Sequence, residues 1–167
     1  MRSTNILAAG LVLSAVLAMP ALAQNKTAKP TPDPAVASQL KALEYKYEID
    51  EDGDYRLLFD VDEKSKRTQL VFVRSAVEEY GGHRVREVWS AGYKASGDAF
   101  PANVANRLLE ASMDSKMGGW GKQGQAAIFI VRVPANADKD VLDAAITAAL
   151  NSADEMEAEL TPGKDDL

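Results

Sequence analysis

Apolar and polar side chains alternate from Tyr45 to Tyr93, and after Ser96-Gly97-Asp98 the apolar spacing changes to that of a helix. Alternation with a period of two sends successive side chains to opposite faces of a strand. Tyr45, Tyr47 and Ile49, with Lys46 and Glu48 between them, therefore predict a half-buried strand. A second strand follows over Tyr55–Val61. Asp52-Gly53 between the two is a hairpin signal, because the tight turn needs a positive φ that glycine adopts freely. A polar connection over 62–66 leads to a third strand, Thr68–Arg74. Tyr80-Gly81-Gly82-His83 then reads as the turn into a fourth, Val85 to about Tyr93.

Helical periodicity brackets this β-rich stretch. Val36, Leu40 and Leu43 form one stripe on a helix that begins near Pro34, with Asp33 as its cap. Val104, Leu108 and Leu109, with Ser112 and Met113, mark a second helix, expected to end at Gly118-Gly119. Ala126-Ala127-Ile128-Phe129-Ile130-Val131 is a continuous apolar run, expected to be the most buried strand. From the cap Asp138 to about Leu160, a last helix carries Leu142, Ile146, Ala149, Ala153, Met156 and Leu160 along one stripe. The order α-β-β-β-β-α-β-α predicts a two-layer α+β domain: an antiparallel sheet of about five strands with helices packed on one face.

The ends of the chain read differently. Arg2, the apolar stretch Ile6 to Met19 and Ala21-Leu22-Ala23 have the layout of a secretory signal peptide, residues 1–23, cleaved after Ala23. The apolar run is too short and alanine-rich to remain as a span. No cysteine follows it, so no lipid anchor is expected. Residues 24–33 form a flexible, proline-rich tether, 34–160 the domain, and 161–167 a disordered tail. The mature protein is expected to be soluble in a bacterial periplasm or outside the cell, with no membrane attachment after cleavage.

Charge and composition narrow the function. With 25 acidic against 19 basic side chains, the chain repels phosphate backbones, so nucleic acid is not expected as a partner. The absence of cysteine removes disulfides, thiol nucleophiles and thiolate metal sites, and leaves apolar burial to hold the fold. Asp50, Asp52 and Asp54 resemble the opening of a calcium loop. That template wants a glycine where Tyr55 stands and a glutamate where Val61 stands, so an acidic hairpin tip is the reading. His83, the single histidine, lies beside Gly81-Gly82 and reads as a turn residue. Gly118-Gly119-Trp120-Gly121 follows a helix where a phosphate loop would precede one, so it reads as a helix cap and flexible connection. Trp89 reads as core. No catalytic motif is present, and neither enzymatic activity nor a cofactor or metal is expected. The remaining candidates are for partner binding: Trp120 and Gly119 in the glycine-rich loop, and Ala149, Ala153 and Met156 on the last helix. Alanines make that stripe shallow, open to the chain's own sheet or to a neighbouring subunit.

The Tyr47 strand with Asp50-Glu51-Asp52-Gly53-Asp54-Tyr55-Arg56 resembles the YbjN-domain family of bacterial sensory transduction regulators. So do Leu108-Leu109-Glu110 leading to Gly118-Gly119-Trp120, and the closing Ala153-Asp154-Glu155-Met156-Glu157. The likeness runs from about Pro34 to Leu160. It implies a fold like that of type III secretion chaperones, a small antiparallel sheet flanked by helices, and a protein-binding scaffold that holds a partner or a second copy of itself. It implies no catalytic residues. Those chaperones work in the cytoplasm, whereas this chain carries an export signal. The leading expectation is thus an exported, non-enzymatic protein-binding module. A carrier or sensor of a small apolar ligand near Trp120 is the alternative, and a hydrolase built on His83 a third.

Overall fold

A computed structural model describes residues 31–62 and 67–163. The expected signal peptide, most of the tether, residues 63–66 of the polar connection and the end of the tail lie outside the described residues. The elements in order are α1 (Pro34–Ala42), β1 (Glu48–Ile49), β2 (Tyr55–Asp62), β3 (Arg67–Tyr80), β4 (His83–Lys94), α2 (Ala102–Asp114), β5 (Gly118–Gln123), β6 (Ala126–Pro134) and α3 (Lys139–Leu160). The strands form one six-stranded antiparallel sheet in the order β1-β2-β3-β4-β6-β5. The α+β architecture is as expected, with one strand more. Among the described residues no helix is long and apolar enough to cross a membrane.

The additional strand is the glycine-rich stretch. α2 stops at Asp114 and Gly118–Gln123 pairs along β6, where a helix cap and loose connection were expected. The glycines serve close approach. A Cβ on Gly118 would lie 2.5 Å from the Ile130 carbonyl oxygen and 2.7 Å from the Phe129 ring. A turn at Gly124, with φ of 57°, joins β5 to β6. At the other margin the structure shortens an expected strand. Glu44 adopts φ of 60° and Tyr45 N–H donates to Leu40 O at 3.0 Å, which closes α1 and leaves only Glu48–Ile49 to pair with β2. The third strand, in contrast, runs well past Arg74 to Tyr80.

One face of the sheet carries the core. Val71, Val73, Val88, Phe129 and Val131 pack there against Leu142, Ala145, Ile146 and Ala149 of α3 and Val36 and Leu40 of α1. α2 adds Val104 and Leu108, which meet Ala127 and Met156. It also seals the sheet margin, since Ser112 Oγ accepts from Trp120 N–H at 2.8 Å and Ser115 Oγ from Gly118 N–H at 3.3 Å. These two hydroxyls satisfy donors that an open edge would offer to another chain.

A buried polar knot fixes the start of the domain. The pairing of β3 with β4 shifts between Val73 and Val77, and the carbonyls of Arg74 and Ser75 turn toward Arg86. Arg86 is 4 % exposed, donates to both oxygens and forms an ion pair with Asp33. Ser75 Oγ accepts from Asp33 N–H at 3.1 Å and donates to Gly53 O at 2.6 Å. Asp33, assigned by sequence to the tether, is thereby held at both ends. Burial works against its charge, but the Ala35 N–H and the Arg86 guanidinium outweigh it and hold its carboxyl below the ordinary value.

Candidate functional site

The residues singled out for partner binding are mostly occupied by the fold itself. Ala149 and Ala153 are fully buried and Met156 nearly so. Their small side chains let α3 lie close on β4, where a Cβ on Gly92 would stand 2.9 Å from the Ala153 carbonyl oxygen. The shallow stripe therefore serves the chain's own sheet. Gly119, half-buried, faces Ser112 across the β5 margin. Trp120 is also half-buried. Its ring packs edge-on against Phe129 at 5.4 Å and reaches over Gly92.

Trp120 nevertheless borders two recesses. A cleft of about 450 Å³ between α2 and α3 is lined by Met117, Trp120 and Met156, with Arg107 and Glu159 bridging it at 2.7 Å. A smaller recess of about 200 Å³ lies on the other side, against Phe100, Leu108 and Leu109.

The larger unpartnered surface is the opposite face of the sheet. Strand pairing aligns Phe72 with Trp89 and Trp89 with Ile130. These alternate with the core residues Val71, Val73, Val88, Phe129 and Val131, so they point the other way. Leu58, Leu70, Ala91 and Ile128 form the next row by the same registers. Among the described residues, no helix joins these side chains in an apolar cluster. Phe72 and Trp89 lie flat on one another, with centroids 4.2 Å apart and ring planes inclined by 8°. Trp89 was expected in the core; the alternation placed it correctly on one face, but on the face the helices leave bare.

An alternating charge ladder flanks the apolar rows. Asp54 lies 3.6 Å from Arg74, Arg74 is 3.2 Å from Glu87, and Glu87 is 2.8 Å from Arg132. Burial opposes the Arg74 charge, yet the hydrogen bond to Glu87 and the nearby carboxylates raise its pKa further. Asp54 is pushed upward because burial outweighs the Ser75 N–H and Arg74. The face is concave: a trough of about 560 Å³ has Trp89, Ile128 and Ile130 as its floor. Asp50, Asp52 and Asp54 wall one end, and Lys122 and Gln123 the other.

Asp50 does what a turn aspartate does. Its Oδ1 accepts from the N–H groups of Asp52 at 3.0 Å and Asp54 at 2.9 Å, around Gly53 with φ of 79°. His83 is exposed at the start of β4, paired with Tyr80 just past the expected turn, where Gly81 and Gly82 both have positive φ. Among the described residues, no group of three or more histidine, aspartate or glutamate side chains is placed to hold a metal ion. Phe72, Ile128 and Ile130 were missed as site candidates. Their signal was available, since one helical layer covers one face and a strand apolar on both sides must leave the other bare.

Neither a scan against protein-family models nor a search of curated proteins finds a match to this chain.

Proposed function

We propose that this protein is an exported, non-enzymatic binding module that holds an extended stretch of another polypeptide on the bare face of its sheet. The observation that carries this reading is the apolar row Phe72, Trp89 and Ile130, half-buried and joined by no described helix, with Trp89 and Ile130 on the floor of the trough beside the buried Ile128. Water gains nothing from such a surface, and contiguous exposed apolar patches on small domains mark interaction sites. A trough is also the shape that a strand-like segment fills with alternate side chains. The expected export signal and the resemblance to the YbjN-domain family fit the same proposal.

Immobilised protein panned against a library of short random peptides should retain apolar ones, and Ile130→Lys, which plants a charge in the floor, should release them. Retention unaffected by Ile130→Lys, or no retention at all, overturns the proposal. A second reading, a carrier of a small apolar ligand, is favoured by the two recesses that flank Trp120. Native mass spectrometry of the purified protein would then show a bound small molecule.

A further inference from the structure

The trough has a polarity that its apolar floor does not explain. At its acidic end, Asp52 is exposed and its side chain makes no hydrogen bond or ion pair with the described residues, while Asp50 is half-buried in the turn. Along the floor the charges are already matched: Arg74 answers Asp54 and Glu87, and Arg132 answers Glu87. The opposite end is only weakly basic, because Lys122 lies over the Phe100 ring, 5.5 Å from its centroid, and donates to Gly124 O. Unanswered charge is therefore negative and sits at one end, in a chain that carries a net charge of −6.

Size separates the occupants. The two apolar rows cross three and four strands, at most roughly 20 Å by 12 Å at ordinary strand spacing, a footprint of no more than a few hundred Å² that includes the buried Ile128. A stable dimer buries about 800 Å² on each partner, which this patch does not supply. A second copy would also bring its own acidic tip and add to the negative charge already present. A short extended segment matches both the footprint and the trough.

Resting on the function proposed above, we propose that the trough recognises polypeptide segments with an apolar core and a lysine or arginine at one end, bound with that end against the Asp50–Asp54 turn. The floor supplies affinity through burial. The turn supplies direction and discrimination, as complementary charge does at interfaces generally.

Two short fluorescent peptides with one valine- and phenylalanine-rich core test this, one ending in two lysines and the other in two glutamates. By fluorescence anisotropy with the full protein at low salt, the lysine peptide should bind at least about tenfold more tightly. That advantage should shrink at about 1 M salt, where exposed charges are screened within a few ångströms. Asp52→Lys lies on an exposed turn and should abolish the preference without moving the melting temperature. A nitroxide on the lysine end should broaden the amide resonances of residues 50–54 and spare those of 122–123. Equal affinity for the two peptides, with both lost in Ile130→Lys, overturns the polarity and leaves the binding function standing. Failure of both peptides to bind overturns the binding function, and the polarity with it.

Discussion

The two faces of this sheet are made by the same strands with the same alternation, yet they have different fates. On one, Val71, Val73, Val88, Phe129 and Val131 are almost wholly removed from water by α1 and α3. On the other, Phe72, Trp89 and Ile130 are equally apolar but only half-buried, because they are shielded mainly by each other and by neighbouring strands. A sheet with one layer of helices normally alternates apolar-in with polar-out. Here the polar-out rule holds at the charge ladder and fails in the two rows beside it. The covered face carries the stability, and the bare face is apolar for another purpose.

The comparison breaks most directly on the covered side. Phe129→Ala removes a ring that packs against Trp120 and α3, and should cost about 3–5 kcal/mol, read as a fall in the urea midpoint. Arg86→Leu should cost about 3 kcal/mol, because it strands two strand carbonyls in a buried place and takes the cation from the half-buried Asp33. A loss below about 1 kcal/mol for Phe129→Ala would mean that this face is not the stabilising one. Gly92→Ala sharpens the geometry. The new methyl would meet Trp120 Cη2 at 2.5 Å, and overpacking of that kind costs about 1–3 kcal/mol.

Much of this was legible beforehand, and the misses share a cause. Asp33 as cap, α3 from its Asp138 cap to Leu160 and the Asp52-Gly53 turn follow from local chemistry, and local chemistry decided them. β5 was missed because Gly118, Gly119 and Gly121 have poor strand propensity, and their use depends on Phe129 and Ile130 lying across from them. β1 shrank because Glu44 closes α1 with a conformation usually left to glycine. The site was hidden for a related reason. Alternation tells which residues share a face, but which face the helices choose is a tertiary fact, so Trp89 and Ile130 read as buried while Phe72 went unremarked.

Acid should weaken the knot only after it has reached Asp54 on the bare face, whose carboxyl is shifted upward. The Asp33 carboxyl is held below its ordinary value of 3.8 in the fold, so folding favours its ionised form. Its contribution is therefore present in full above the unfolded value and is lost as the pH falls through the folded one. Asp33→Asn should be less stable than the parent at neutral pH, with the two curves converging below about pH 4. Parallel curves down to the acid limit would show that Asp33 is not what Arg86 answers.

The smallest expected change in stability tests the comparison best. Phe72→Thr places a β-branched residue on β3 and removes the ring stacked on Trp89, a cross-strand contact ordinarily worth about 0.2–1 kcal/mol. Threonine forms strands well and the site is half-open to water, so the urea midpoint should barely move. Binding of an apolar peptide should fall steeply, because the ring holds Trp89, which lies on the floor that such a peptide covers. A variant that loses stability as heavily as Phe129→Ala would make the bare face a second core whose covering element lies outside the described residues. One that keeps both stability and binding would leave the stacked pair without a role. Loss of binding with stability kept is the outcome that a bare apolar face requires if it exists for a partner.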